Sequence, residues 1–160
     1  MSGRGVLFAV EDDVLAKLGD ARDDAEVLAI IDEIEERWDP EHACELEKSW
    51  DAIHRSLTDG RLSFDNGTAP LSLVILGGHR LLEGADRIVT AKAPDEVLAI
   101  AEALATWDRA RLRKGYNRIP TQDYGDLDDE DFDYTWRFFA RAVELYRSAA
   151  HEQRGVVFNV

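Results

Sequence analysis

Cysteine is almost absent from this chain; Cys44 is the single one. A lone thiol cannot close an intramolecular disulfide, so nothing marks the sequence for an oxidising compartment and a cytoplasmic location is the expectation. Proline is scarce too, with four in 160 residues, and no stretch is rich enough in proline, glycine and serine to make a linker between domains. Internal repeats are lacking as well. One domain over residues 1–160 is expected, large enough to bury roughly 70% of the surface its unfolded chain exposes. Long apolar runs are missing: Val6 to Val10 gives way at once to Glu11-Asp12-Asp13, too short for a signal-peptide core or a bilayer span. Positive charge is in deficit, with 19 basic against 33 acidic residues and a formal charge of −14. That field repels phosphate backbones and anionic membranes, so neither nucleic acid nor a membrane is an expected partner, whereas a basic protein surface would be attracted. Oligomeric state leaves no mark in the sequence.

What is present is a set of amphipathic stretches. Gly5 to Val10 reads as a strand, followed by a short helix through Val14, Leu15 and Leu18 that Gly19 ends. Val27, Ile31, Ile34 and Trp38 recur at helical steps before Asp39-Pro40, and Leu46, Trp50, Ile53 and Leu57 repeat those steps before Thr58-Asp59-Gly60. Residues 60–70 carry turn residues, including Asn66-Gly67, and read as a loop. "PLSLVILGG" is too short for periodicity to choose between strand and helical turn. "RIVTAK" has the β-branched content of a strand, and Pro94-Asp95-Glu96 opens a helix marked by Val97, Ala101, Leu104 and Trp107. One or two helical turns follow in "DRARLRKGYNR", then a loop with Pro120 and Gly125. Phe132, Trp136, Phe139, Val143, Tyr146 and Ala150 form the longest stripe, and "VVFNV" reads as a terminal strand. The expected class is α+β: a small mixed sheet packed against several amphipathic helices.

The helix expected over residues 46–57 carries the sharpest chemical candidate. At about 100° per residue its four apolar positions fall within roughly 60°, and His54 lies roughly 40° beyond Trp50, on the flank. Glu47, Asp51 and Thr58 share that flank, so a carboxylate could orient one imidazole nitrogen while the other faces a cleft, as a general base requires. The competing reading is a half-buried histidine stacked on Trp50 that joins this helix to its neighbour. No Gly-x-Ser-x-Gly elbow supplies a nucleophile; Ser49 and Ser56 are plain helix positions.

Other motifs are weaker. "ILGGHR" places Gly77 and Gly78 before His79 and Arg80, either as a plain turn or as backbone amides that cradle an anion, with Trp50 as a further ligand-binding candidate. It lacks the nucleotide-binding glycine patterns, no cofactor is implied, and no His/Cys spacing supports a metal. "DYGDLDDEDFDY", residues 123–134, holds seven acids, yet Asp131 stands where a calcium loop needs glycine and Arg137 where it needs glutamate. Asp126, Asp128, Asp129, Glu130 and Asp131 therefore read either as acids that complement a helix dipole or as a docking face for a basic partner. The basic run in "WDRARLRKGYNR" is expected to pair with them.

The segments "GVLFAV", "LEKSWDAIHRSLTDG", "PLSLVILGG", "RIVTAKAPDEVLAIAEAL" and "RFFARAVELYRSAAHEQRGVVFNV" resemble the YfbM-like family of small bacterial proteins, a domain family of unknown function. Lys48, Trp50, His54 and Leu57, followed by Leu-Gly-Gly, are the most specific part, and residues 116–132 depart most from the pattern. The resemblance implies a bacterial cytosolic α+β domain and implies no activity. Two functions follow as expectations. The first is a non-enzymatic acidic protein-binding module, in one version toxin-neutralising or inhibitory. The second is a small-molecule binder or hydrolase with His54 as base, Asp51 or Glu47 as its orienter and the Gly77-Gly78 amides as anion donors.

Overall fold

The computed structural model describes residues 3–84 and 86–160. In chain order the elements are β1 (Gly5–Val10), α1 (Asp12–Asp20), α2 (Asp24–Glu36), β2 (Ala43–Glu47), α3 (Trp50–Leu57), a 3₁₀ turn at Leu71–Leu73, β3 (His79–Arg80), β4 (Val89–Lys92), α4 (Pro94–Leu104), α5 (Arg109–Tyr116), α6 (Thr121–Tyr124), α7 (Asp129–His151) and β5 (Gly155–Asn159). The strands form one sheet in the order β2-β1-β5-β4-β3. Every pairing is antiparallel, so the sheet is not the mixed one expected, although the α+β class holds.

Strand alternation splits the interior in two. Leu7 and Ala9 of β1, with Val156 and Phe158 of β5, face a large core completed by α3, α4, α5 and α7. Phe8, Val10 and Val157 face a second core closed by Leu18 of α1 and by Val27 and Ile31 of α2. Each fully buried aliphatic side chain stabilises the fold by roughly 1.5–3 kcal/mol, and two cores on opposite faces keep the sheet flanked by helices on both sides.

The helices begin where the sequence supplies caps. Asp23 accepts the Glu26 amide at 2.9 Å, Asp108 the Arg111 amide at 2.8 Å and Asp128 the Asp131 amide at 2.7 Å. Pro94 opens α4, and the Glu96 carboxylate reaches back to the Ala93 amide at 2.9 Å.

Several expectations fail locally; Trp107, counted on the stripe of α4, lies beyond that helix, which ends at Leu104. The helical stripe beginning at Leu46 is interrupted, because Ala43–Glu47 is a strand and Glu47 takes a left-handed turn at φ 51° before α3 starts at Trp50. Leu46 still reaches the same core as Trp50 and Ile53, but from the sheet, which is why its spacing mimicked a helix. Trp38, counted on the stripe of α2, lies beyond that helix, 40% exposed and edge-on to Phe8 with ring centroids 5.7 Å apart. Pro120 is followed by the short α6, and residues 71–76 form the 3₁₀ turn and its continuation.

Candidate functional site

His54 is not on a flank: it is 1% exposed, and all eight residues of α3 are buried. The polar side of the helix is covered by the loop that follows it and by α5. Asn66 organises that loop. Its amide nitrogen lies 3.0 Å from Thr58 Oγ1, 2.7 Å from Asp59 Oδ1 and 2.7 Å from the Arg61 carbonyl, which leaves its amide oxygen to accept from His54 Nε2 at 2.8 Å. His54 is therefore protonated on Nε2, and its Nδ1 is enclosed with no hydrogen-bond partner among the described residues. Burial holds its pKa below the ordinary 6.5, opposed by the Asn66 hydrogen bond. The neutral imidazole is a structural brace between α3 and the Asn66 turn.

The expected orienters are placed elsewhere. Asp51 accepts from Arg55 Nε at 2.6 Å in a buried i,i+4 ion pair, with the same guanidinium donating to the Gly60 carbonyl at 3.2 Å. Glu47 stands on the strand side of the left-handed turn and pairs with Arg4 at 3.1 Å. The His54 ring makes its hydrogen bond to Asn66, and Asp51 acts on the imidazole through its charge, which favours the protonated form. Trp50 is wholly buried, meets Phe158 at a tilt of 50° with ring centroids 5.6 Å apart, and donates its Nε1–H to the Gly3 carbonyl at 2.9 Å.

The glycines of "ILGGHR" serve packing. The Gly77 amide donates to the Ser72 carbonyl at 3.0 Å, and a Cβ there would meet that carbonyl at 2.2 Å. Gly78 sits at φ +100° against the Ala91 carbonyl. His79 and Arg80 are exposed on β3 and line a polar cleft of about 420 Å³ with Arg22, Asp23 and Asp24, a cleft that His54 does not line. The sequence candidates thus fall in two separate places.

Behind the sheet the sequence concealed a buried polar pair. Lys92 is 0% exposed; its Nζ donates to the Ile75 carbonyl at 2.6 Å and to Thr90 Oγ1 at 2.7 Å. Burial lowers its pKa to about 7 against an ordinary 10.5, with Glu96 opposing. Nearby, the Tyr146 hydroxyl donates to the Val74 carbonyl at 2.6 Å. These groups satisfy carbonyls that the irregular 71–77 segment leaves unpaired. Only the alternation of Thr90 and Lys92 with Val89 and Ala91 hinted at them, and that pattern ordinarily means a solvent-facing strand.

A second histidine missed in the sequence joins the loop before β2 to the end of α7. His42 Nδ1 lies 2.6 Å from Asp39 Oδ2 and Nε2 2.8 Å from Glu152 Oε2. The Asp39 hydrogen bond raises its pKa above 6.5 against partial burial. Donor atoms of Asp39, Glu41 and His42 fall within 4.8 Å of one another, but both ring nitrogens face carboxylates, the geometry of an imidazolium. Cys44 is buried with its thiol pushed up to about 11, so it is not a nucleophile near neutral pH.

Several acids at the start of α7 have partners on α5 and α6, while most of them stay exposed. Asp131 accepts from the hydroxyls of Tyr116 at 2.7 Å and Tyr124 at 2.8 Å, Asp129 pairs with Arg113 at 2.8 Å, and Asp133 pairs with Arg109. Burial, then Asp131, hold both tyrosine pKa values well above 10. Asp128 caps the helix, and Asp126, Asp128, Asp129 and Glu130 are all exposed. The basic run of α5 does meet these acids, as its composition suggested. A denser acidic excess lies on the layer formed by α1, α2 and the turn after them, although Glu26, Glu33, Asp32, Glu35 and Glu11 there have arginine partners. Between Glu11 and Glu41 stand thirteen acidic and only three basic residues.

Comparison with known proteins agrees with this architecture. YfbM from Escherichia coli strain K12 is 35% identical over 74 residues, a segment covering 46% of this chain and 44% of that protein, so the chain aligns with less than half the length of this curated relative. The crystal structure of the protein of unknown function YfbM from Escherichia coli superposes with a TM-score of 0.69 at 21% identity, covering 98% of both chains, which shows a shared fold. A family model described as a domain of unknown function, DUF1877, matches residues 1–159. The chain therefore belongs to the DUF1877 family.

Proposed function

We propose that this protein is a bacterial, cytoplasmic, non-enzymatic binding module whose acidic α1–α2 layer engages a basic protein partner, with neutralisation or inhibition of that partner as the purpose. One observation carries the reading: thirteen acids against three bases between Glu11 and Glu41, gathered on one face of the sheet. Such a face attracts a basic surface at long range and sets association rate and salt dependence more than it sets affinity. The same field disfavours nucleic acid. A single cysteine with no intramolecular disulfide to form is in keeping with a reducing compartment, and no helix among the described residues is long and apolar enough to cross a membrane. The alternative of a His54-centred hydrolase draws no support from an imidazole that is enclosed, neutral and braced by Asn66.

The test is capture of partners by the tagged protein from bacterial lysate at low and moderate salt. Wild type is compared with a triple reversal, Asp20→Lys, Asp32→Lys and Glu36→Lys, and with Asp126→Lys plus Glu130→Lys. A stoichiometric basic protein lost with rising salt and with the first set, but kept by the second, is the expected result. Retention by the triple reversal would overturn the α1–α2 assignment.

A further inference from the structure

A cleft of about 690 Å³ runs between β2 and α7. Ala43, Cys44 and Glu45 form one wall, Ala140, Arg141, Glu144 and Leu145 the other, and Trp38 and Pro40 close one end. β2 is the last strand of the sheet on this side. Ala9 donates its amide to the His42 carbonyl at 2.8 Å, and the register pairs Leu7 with Cys44. In an antiparallel ladder bonding alternates, so Cys44 turns its backbone toward β1 while Ala43 and Glu45 turn theirs outward, into the cleft. A sheet edge of this kind is a template for another strand.

We propose that this cleft receives an extended, basic segment of a partner protein as an added strand beside β2. Charge selects the occupant: Glu41, Glu45 and Glu144 rim the cleft against Arg141, and Arg141 is the one cation among its lining residues. A second copy of this edge is a poorer fit, because self-pairing would bring two rims with the same acidic excess, Glu41, Glu45 and Glu144, together. Side chains of an added strand alternate between faces. One set meets Ala140 and Leu145 of α7, and the other is directed to the face on which Trp38 packs against Phe8. The exposed indole offers a flat apolar anchor, and the preferred segment alternates apolar with basic residues.

This inference rests on the acidic-binding reading and adds the mode of recognition, at a surface separate from Asp20, Asp32 and Glu36. The probe is a fluorescein-labelled heptapeptide of alternating lysine and valine, followed by anisotropy, with hydrogen exchange read at the Ala43 and Glu45 amides. Two further peptides carry N-methyl groups on one or the other set of alternate residues, and a glutamate–valine peptide serves as the charge control. Strand addition predicts binding of the basic peptide, loss of at least tenfold affinity for one N-methylated register but not the other, and protection of both amides. Equal binding of the two registers, unprotected amides with binding retained, or no binding of the basic peptide would each overturn the added strand. None of these outcomes depends on partner capture by the triple reversal, so the two ideas fail separately.

Discussion

At the residue scale, Lys92 shows what burial does to a group that composition counts as surface charge. The folded protein holds its pKa at about 7, while the unfolded chain restores the ordinary 10.5. Across that window the unfolded state carries a proton that the folded state lacks, so this group makes stability rise with pH from about 7 toward 10 and leaves it flat below. A fully developed difference of one proton amounts to about 1.4 kcal/mol per pH unit. Lys92→Met keeps the stem and removes the titration. Urea unfolding at several pH values between 7 and 9.5 should show the wild-type curve rising relative to the Met variant; parallel curves would mean that Lys92 is solvated. His54 was legible as a special position because it lies beside Trp50, yet its role was not, since the group that braces it, Asn66, arrives from a turn twelve residues away.

At the scale of elements, close approach of helices decides the packing of α3. A Cβ on Gly115 would stand 2.0 Å from the Ser56 carbonyl, so α5 lies on α3 through bare backbone. Alanine favours a helix over glycine by about 1 kcal/mol, but here the methyl must force the two helices apart. Gly115→Ala is expected to lower stability by about 1–3 kcal/mol, whereas Gly19→Ala in α1, where nothing lies within 4 Å, should raise it by about 0.5–1 kcal/mol. Thermal or urea unfolding of the pair checks the opposite signs; equal shifts would contradict the helix contact. Elements with an uninterrupted stripe and their own caps, α4 and α7 above all, were readable because local propensity and tertiary packing agree there. The strand–turn–helix of residues 43–57 was not, because a single left-handed residue, Glu47, changes the chain direction without disturbing the spacing of apolar side chains.

At the scale of the whole molecule, charge is unevenly shared. The α1–α2 layer gathers mutual repulsion that the α5–α7 contact, with its Arg109, Arg113, Tyr116 and Tyr124 partners, does not. Raising ionic strength from about 0.01 to about 0.15 M shortens the screening length from ~30 to ~8 Å and relieves that repulsion. The unfolding midpoint of the wild type should rise by a few degrees over this range, and by less in the Asp20, Asp32 and Glu36 triple reversal. A midpoint that falls with salt would show instead that attractive pairs dominate the surface.

The sequence by itself determined the class of the fold, most of its helices, the first and last strands, the acidic balance and the family resemblance, because these depend on local periodicity, capping residues and composition. Only the tertiary structure decided that the sheet is wholly antiparallel, that α3 is buried on every side, that Lys92 is buried behind the sheet and that Asp129 and Asp131 meet partners from α5 and α6. The physical reason is common to all four. Strand partners, the cover over a polar helix face and the partner of a charge are contributed by residues remote in the chain, and pairwise contacts across such separations leave no period in the sequence.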